Sequence, residues 1–139
     1  MKTVFDTNVL VSALITTGRA RELFLKAVEG QIQLVLSKGI LNEFTEVARD
    51  PRISKYVDRE DVAAFLEILR CKAKIVRIKS KLHIVKEDPA DDVILRTAID
   101  GKADCIISGD RHVLSLGSFM GIQIVTINEM LALLEKESH

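Results

Sequence analysis

Short runs of β-branched and apolar residues alternate with stretches of helical periodicity along the whole sequence, and that alternation leaves few folds open. Thr3-Val4-Phe5, Leu34-Val35-Leu36, residues 75–78, Cys105-Ile106-Ile107 and residues 122–125 read as strands. A helical stretch follows the first strand from about Asn8, and residues 21–29 carry Leu23, Phe24, Ala27 and Val28 at helical spacing before Gly30. Ser37 reads as the cap of a helix running to about Arg49, where Asp50-Pro51 stops it, and Asp58 as the cap of another over residues 62–71. Asp88-Pro89 opens a helix through about Ile99, with proline at the favoured first position and Gly101 beyond the end; Asn128 reads as the cap of a terminal helix. Strands and helices in alternation predict an α/β fold: five parallel strands with helices on both faces. The 139 residues have room for one domain, 1–139, and show no repeat, low-complexity segment or long linker.

Hydrophobic residues make up 47% and charged residues 29%, enough apolar surface to offset the chain entropy of a compact domain and too much for a disordered one. No apolar run approaches the roughly 20 residues that cross a bilayer, so a soluble protein of the cytoplasm is expected, without a membrane partner. Cys71 and Cys105 lie far apart without Cys-x-x-Cys spacing and read as reduced structural residues.

The net charge is zero, so any electrostatic argument rests on distribution. Residues 70–86 hold Arg70, Lys72, Lys74, Arg77, Lys79, Lys81 and Lys86 and no acid, and Glu87, Asp88, Asp91 and Asp92 follow directly. Arg77, Lys79 and Lys81 alternate with Val76, Ile78, Ser80 and Leu82. That pattern suits a solvent-facing row guarding a sheet edge as well as it suits a contact to RNA phosphates.

An open parallel sheet binds its ligands beyond the carboxyl ends of its strands, so the position of acids relative to those ends matters. Asp6 follows the first strand, Glu43 lies in the helix after the second, Asp91 lies near the start of the helix before the fourth, and Asp110 follows the fourth in Ser108-Gly109-Asp110. Carboxylates brought together without a cation repel and raise one another's pKa, whereas a hard divalent ion takes oxygen ligands and removes the conflict. On the later helix, Ile94, Leu95 and Ala98 define the buried stripe; Asp91 extends it by a turn and is expected to point inward, with Asp92 well to its side. On the earlier helix, Glu43 borders the stripe of Ile40, Leu41, Phe44, Val47 and Ala48, while Glu46 lies almost opposite. The bland reading of Asp88 and Asp91 is a capping pair, of Asp110 a cap for the following turn, and of Asp6 an acceptor for local amides. Asn8 is either an aid to Asp6 or to a bound water, or a helix cap.

These segments resemble the PIN-domain family, especially the toxins of bacterial and archaeal toxin-antitoxin systems that include the virulence-associated protein C (VapC) ribonucleases. Val4-Phe5-Asp6-Thr7-Asn8-Val9-Leu10 is similar to the family's opening strand with its Asp-Thr-Asn signature. Leu36-Ser37 followed by Glu43 resembles the second acidic element, Asp88-Pro89-Ala90-Asp91-Asp92 with Ala98 the third, and Ile106-Ile107-Ser108-Gly109-Asp110 the fourth. The resemblance spans essentially the whole chain. It implies a three-layer α/β/α sandwich with a five-stranded parallel sheet, a ribonuclease site using Mg2+ or Mn2+, homodimers or higher homo-oligomers, and inhibition by a cognate antitoxin. By position, Asp6, Glu43, Asp91 and Asp110 take the catalytic acidic roles, with Asp6, Asp91, Asp110 and Asp92 as metal ligands and Asn8 and Ser108 as auxiliaries. Arg77, Lys79 and Lys81 are the expected RNA contacts. Two places depart from the family: Asp92 stands where asparagine is frequent, and His112 where a second aspartate is common. His83 and His139 match no catalytic element.

The implied reaction is phosphodiester hydrolysis to a 5′-phosphate and a 3′-hydroxyl, with no protein nucleophile. The sequence has no Gly-rich phosphate loop, Ser-His-Asp arrangement or zinc ligand set, and its few aromatic residues leave phosphate contact as the main source of RNA affinity. A haloacid-dehalogenase-like phosphatase would need a second aspartate two places after Asp6, where Asn8 stands. The remaining alternative is a non-catalytic PIN-fold module that binds RNA or protein.

Overall fold

The computed structural model describes residues 1–79 and 89–137, with side chains from residue 92 onward in the second stretch. The elements run β1 (Lys2–Phe5), α1 (Thr7–Ile15), α2 (Arg19–Val28), β2 (Gln33–Ser37), α3 (Lys38–Arg49), α4 (Pro51–Ser54), α5 (Arg59–Lys72), β3 (Lys74–Val76), α6 (Pro89–Asp100), β4 (Cys105–Ile107), α7 (Arg111–Leu114), β5 (Ser118–Phe119), β6 (Ile122–Val125) and α8 (Ile127–Glu137). One sheet takes the order β3-β2-β1-β4-β6-β5. The five longer strands pair in parallel and β5 joins β6 antiparallel, so the five-stranded expectation becomes six. A two-residue strand carries no alternation for a sequence reading to detect.

From β1 the chain steps through β2 to β3 on one side, then returns past β1 to β4 on the other. Right-handed crossovers in both directions put α6 on the opposite face from the connections through α1–α2 and α3–α5. Coverage on both faces is why Val4, Phe5, Leu34, Val35, Leu36, Ile106 and Ile107 are all buried and why these strands read as continuous apolar runs. Phe24, Phe44 and Phe65 stack between α2, α3 and α5, with centroids 4.6 and 5.3 Å apart.

Two glycines let α6 sit close to its neighbours. A Cβ on Gly101 would lie 2.6 Å from Val35 Cγ1, and one on Gly39 would lie 2.9 Å from Val93 Cγ1. The first allows the end of α6 to close onto β2; the second lets the start of α3 meet the first turns of α6.

Several local expectations change. The third strand stops at Val76, short of residue 78, and Lys79 instead donates its main-chain N–H to Asp100 Oδ2 at 2.7 Å. Arg77 and Lys79 therefore do not continue the strand as an alternating edge row, and Lys81 lies outside the described residues. Asn128 sits inside α8. Thr126 is the cap: its hydroxyl accepts from Glu129 N–H and Glu129 Oε1 accepts from Thr126 N–H, each at 3.1 Å. Asp50 does end α3, but its carboxylate also caps the short α4 that follows. Asp58 forms a capping box with Asp61 at the head of α5. No described helix is long and apolar enough to cross a membrane.

Candidate active site

The reversal of crossover direction falls between β1 and β4, which are adjacent and in parallel register. Such a switch point opens a crevice beyond the carboxyl ends of the two strands, because the chain leaves them in opposite directions. Asp6 follows β1 and Ser108-Gly109-Asp110 follows β4, so two of the expected acids stand at that crevice by topology alone.

Asp6 is almost fully buried although it ends a strand. Its main-chain N–H continues the ladder to Ile107 O at 2.9 Å, and its carboxylate caps α1 by accepting from Asn8 N–H at 3.4 Å. Ser108 Oγ donates to Asp6 Oδ2 at 2.7 Å and accepts from Asp110 N–H at 3.0 Å, so one buried hydroxyl ties the two acidic segments together. Asp110 uses Oδ1 to accept from His112 N–H at 2.8 Å and Val113 N–H at 3.2 Å, capping α7. The capping roles of Asp6 and Asp110 are thus real and coexist with their placement at the crevice. Burial pushes the Asp6 carboxyl above its ordinary 3.8; the Ser108 hydroxyl and the Asn8 and Thr7 amides pull it back, and the charge of Asp110 raises it again.

Glu43 is half-buried on α3, and Thr7 Oγ1 donates to its Oε2 at 3.0 Å. Because Thr7 directly follows Asp6, that bond brings Glu43 to the same crevice. Ser37, at the end of β2, caps α3 and shares a 2.7 Å hydrogen bond with Thr97 of α6, both buried. Asn8 is exposed and reaches Asp6 through its main chain; the cap of α1 is Asp6 itself.

The side chain of Asp91 lies outside the described residues, so the expectation that it points inward remains one of position on α6. Asp92 departs from expectation. It is 6% exposed, and its Oδ2 lies 3.5 Å from Arg96 Nη1 one turn on. At 100° per residue Asp92 lies roughly 160° round from Ile94, yet it is enclosed; α6 meets α3 as well as β1 and β2, so its apolar stripe does not mark the whole of its buried arc. Among the described residues, no three of the His, Cys, Asp and Glu side chains form a group able to hold a metal ion by themselves.

The carboxylate oxygens of Asp6 and Asp110 nevertheless fit a hard divalent cation. Their mutual repulsion and the desolvation of Asp6 are the costs that such an ion removes. Of the basic residues, Lys79 stands elsewhere. Lys79 is tied to the last residue of α6, eight residues or about 12 Å along the helix from Asp92. The clefts flanking α5 are also separate from the acids: one is lined by Ala48, Arg49, Val62 and Leu66, the other by Phe24, Leu25, Tyr56 and Ile68.

A PIN-domain profile matches residues 2–112. The chain belongs to the PIN-domain family. It is 28% identical over 118 residues to an uncharacterized protein of Methanocaldococcus jannaschii, an alignment covering 84% of this chain and 75% of that protein. Its fold is similar to that of a chain in the crystal structure of VapBC2 from Rickettsia felis bound to a DNA fragment from their promoter. The TM-score is 0.62 at 15% identity, covering 91% of this chain and 98% of the other. The matched residues include Asp6, directly after β1, and Asp110, three residues after β4.

Thr7 and Arg96 were not among the residues singled out from sequence. Thr7 shares a helical stripe with Leu10, Val11 and Leu14, all buried, so its hydroxyl had to find an internal acceptor. Arg96 sits four residues after Asp92, the spacing of a helical ion pair.

Proposed function

We propose that this PIN domain is a divalent-metal-dependent ribonuclease that hydrolyses RNA phosphodiester bonds, acting as the toxin of a toxin-antitoxin pair. The observation that carries the reading is the buried Asp6 at the switch point, joined through Ser108 to Asp110 and held at a raised pKa by burial and by that second acid. A buried, electrostatically disfavoured carboxylate in a crevice suits a group that meets a cation or a substrate in use. When bound, Mg2+ or Mn2+ would polarise the scissile phosphate and lower the pKa of a water. Asp6, Asp110 and Asp91 would hold it, and Glu43 would orient or deprotonate the attacking water at the α3 side of the crevice. Ser108 holds Asp6 Oδ2 through its hydroxyl and so limits the turning of that carboxylate. Asp92, paired with Arg96, serves as an outer charge rather than a first ligand.

Arg77, Lys79 and Lys81 would contact RNA phosphates away from the cut, because Lys79 is anchored at the far end of α6. The partnership with an antitoxin draws on the fold shared with a chain of the VapBC2 complex; homodimers or larger homo-oligomers and a cytoplasmic location belong to the same reading. The second reading is a non-catalytic RNA- or protein-binding PIN module. Labelled RNA incubated with the purified chain separates the two. Cleavage to 5′-phosphate products with Mg2+ or Mn2+, abolished by EDTA and reduced at least a hundredfold in Asp91→Asn, is expected. RNA binding without cleavage under either metal would favour the binding module.

A further inference from the structure

The helical threonines of this chain divide into two kinds. Thr16 and Thr45 turn their hydroxyls back onto the carbonyl four residues earlier at 2.8 Å, the usual local use of a threonine in or beside a helix, and Thr97 does the same at 2.7 Å while also meeting Ser37 Oγ. Thr7 does not. It occupies the first position of α1, where the residue four places back belongs to β1, and its hydroxyl crosses 36 residues to Glu43 Oε2 at 3.0 Å. Thr7 is 1% exposed, so this hydroxyl has no recourse to water. Its main-chain N–H meanwhile supports the Asp6 carboxylate. One buried residue thus holds two acids from different elements, the first through its backbone and the second through its side chain.

We propose that Thr7 is the positioning residue for Glu43. Glu43 stands on the sixth position of α3, at the border of its buried face, and a glutamate there has three side-chain torsions to fix before its carboxylate can act at a defined point. The Thr7 hydroxyl restricts that freedom and couples the reach of Glu43 to Asp6, because Thr7 cannot move without disturbing the cap of α1. The proposal rests on the reading of Glu43 as a working acid of a metal-dependent nuclease. Its structural half, the bond itself, stands independently of activity.

Thr7→Val removes the hydroxyl at nearly constant shape, and Thr7→Ser keeps it. In metal-free protein, the side-chain carboxyl carbon resonance of Glu43 should move in Thr7→Val and stay near its wild-type position in Thr7→Ser. In single-turnover RNA cleavage with Mn2+, Thr7→Val should lose roughly tenfold to a hundredfold in rate, the range for one hydrogen bond to a charged group, with KM for RNA within about twofold and Thr7→Ser restoring most of the rate. In a Glu43→Gln background the same change should cost far less, because its effect runs through Glu43. A Glu43 resonance unmoved by Thr7→Val, a rate unchanged by it, or equal losses in the valine and serine variants would each overturn the assignment. Wild-type protein that moves the resonance as expected but never cleaves RNA would overturn the nuclease reading and leave the Thr7–Glu43 contact intact.

Discussion

Asp6 combines two demands that oppose each other. It must be buried to cap α1 and accept from Ser108, and it must be charged to bind a cation. Its carboxyl is raised above 3.8 first by burial, so between that value and its folded pKa the native state holds more protons than the unfolded chain. The sign follows: without metal, this group's contribution to stability falls as pH rises through that window. Asp6→Asn, which keeps an oxygen for the Ser108 bond, should therefore raise the melting temperature near neutral pH in EDTA and flatten the pH dependence. Added Mn2+ should stabilise wild type more than the variant. A lower melting temperature for Asp6→Asn in EDTA would mean that the carboxylate stabilises the metal-free fold and that its charge is not held at a cost.

At the scale of elements, α6 encloses one of its acids at a cost. Asp92 is buried beside Arg96, so Asp92→Asn should destabilise the fold by roughly 1–3 kcal/mol, the range for a hydrogen bond to a charged group, measurable by urea unfolding. Unchanged stability together with lost Mn2+ binding would instead make Asp92 a metal ligand. The same helix shows where sequence reading stops. Ile94, Leu95 and Ala98 do lie on a buried stripe, but one helix's periodicity carries no information about a second wall, and Asp92 is buried off that stripe on a helix that meets α3 as well as the sheet. β1 and β4 are legible because each carries a compact apolar run, Val4-Phe5 and Cys105-Ile106-Ile107, with an acid within three residues of its end. The short α4, α7 and β5 were not, since two to four residues show no period. Thr126 with Glu129 was a readable capping box that Asn128 obscured.

The whole molecule places its chemistry through topology. Because crossovers leave β1 and β4 in opposite directions, Asp6 and Asp110 stand at the same crevice, and α1 and α3 add Thr7 and Glu43 from the side. The central claim is that this crevice binds a divalent cation, and calorimetric titration of the purified chain with Mn2+ tests it most directly. The account predicts saturable binding of one or two ions per chain that is lost in both Asp6→Asn and Asp110→Asn. Binding that survives in both variants, or no binding by a wild-type chain shown to be folded, would contradict it.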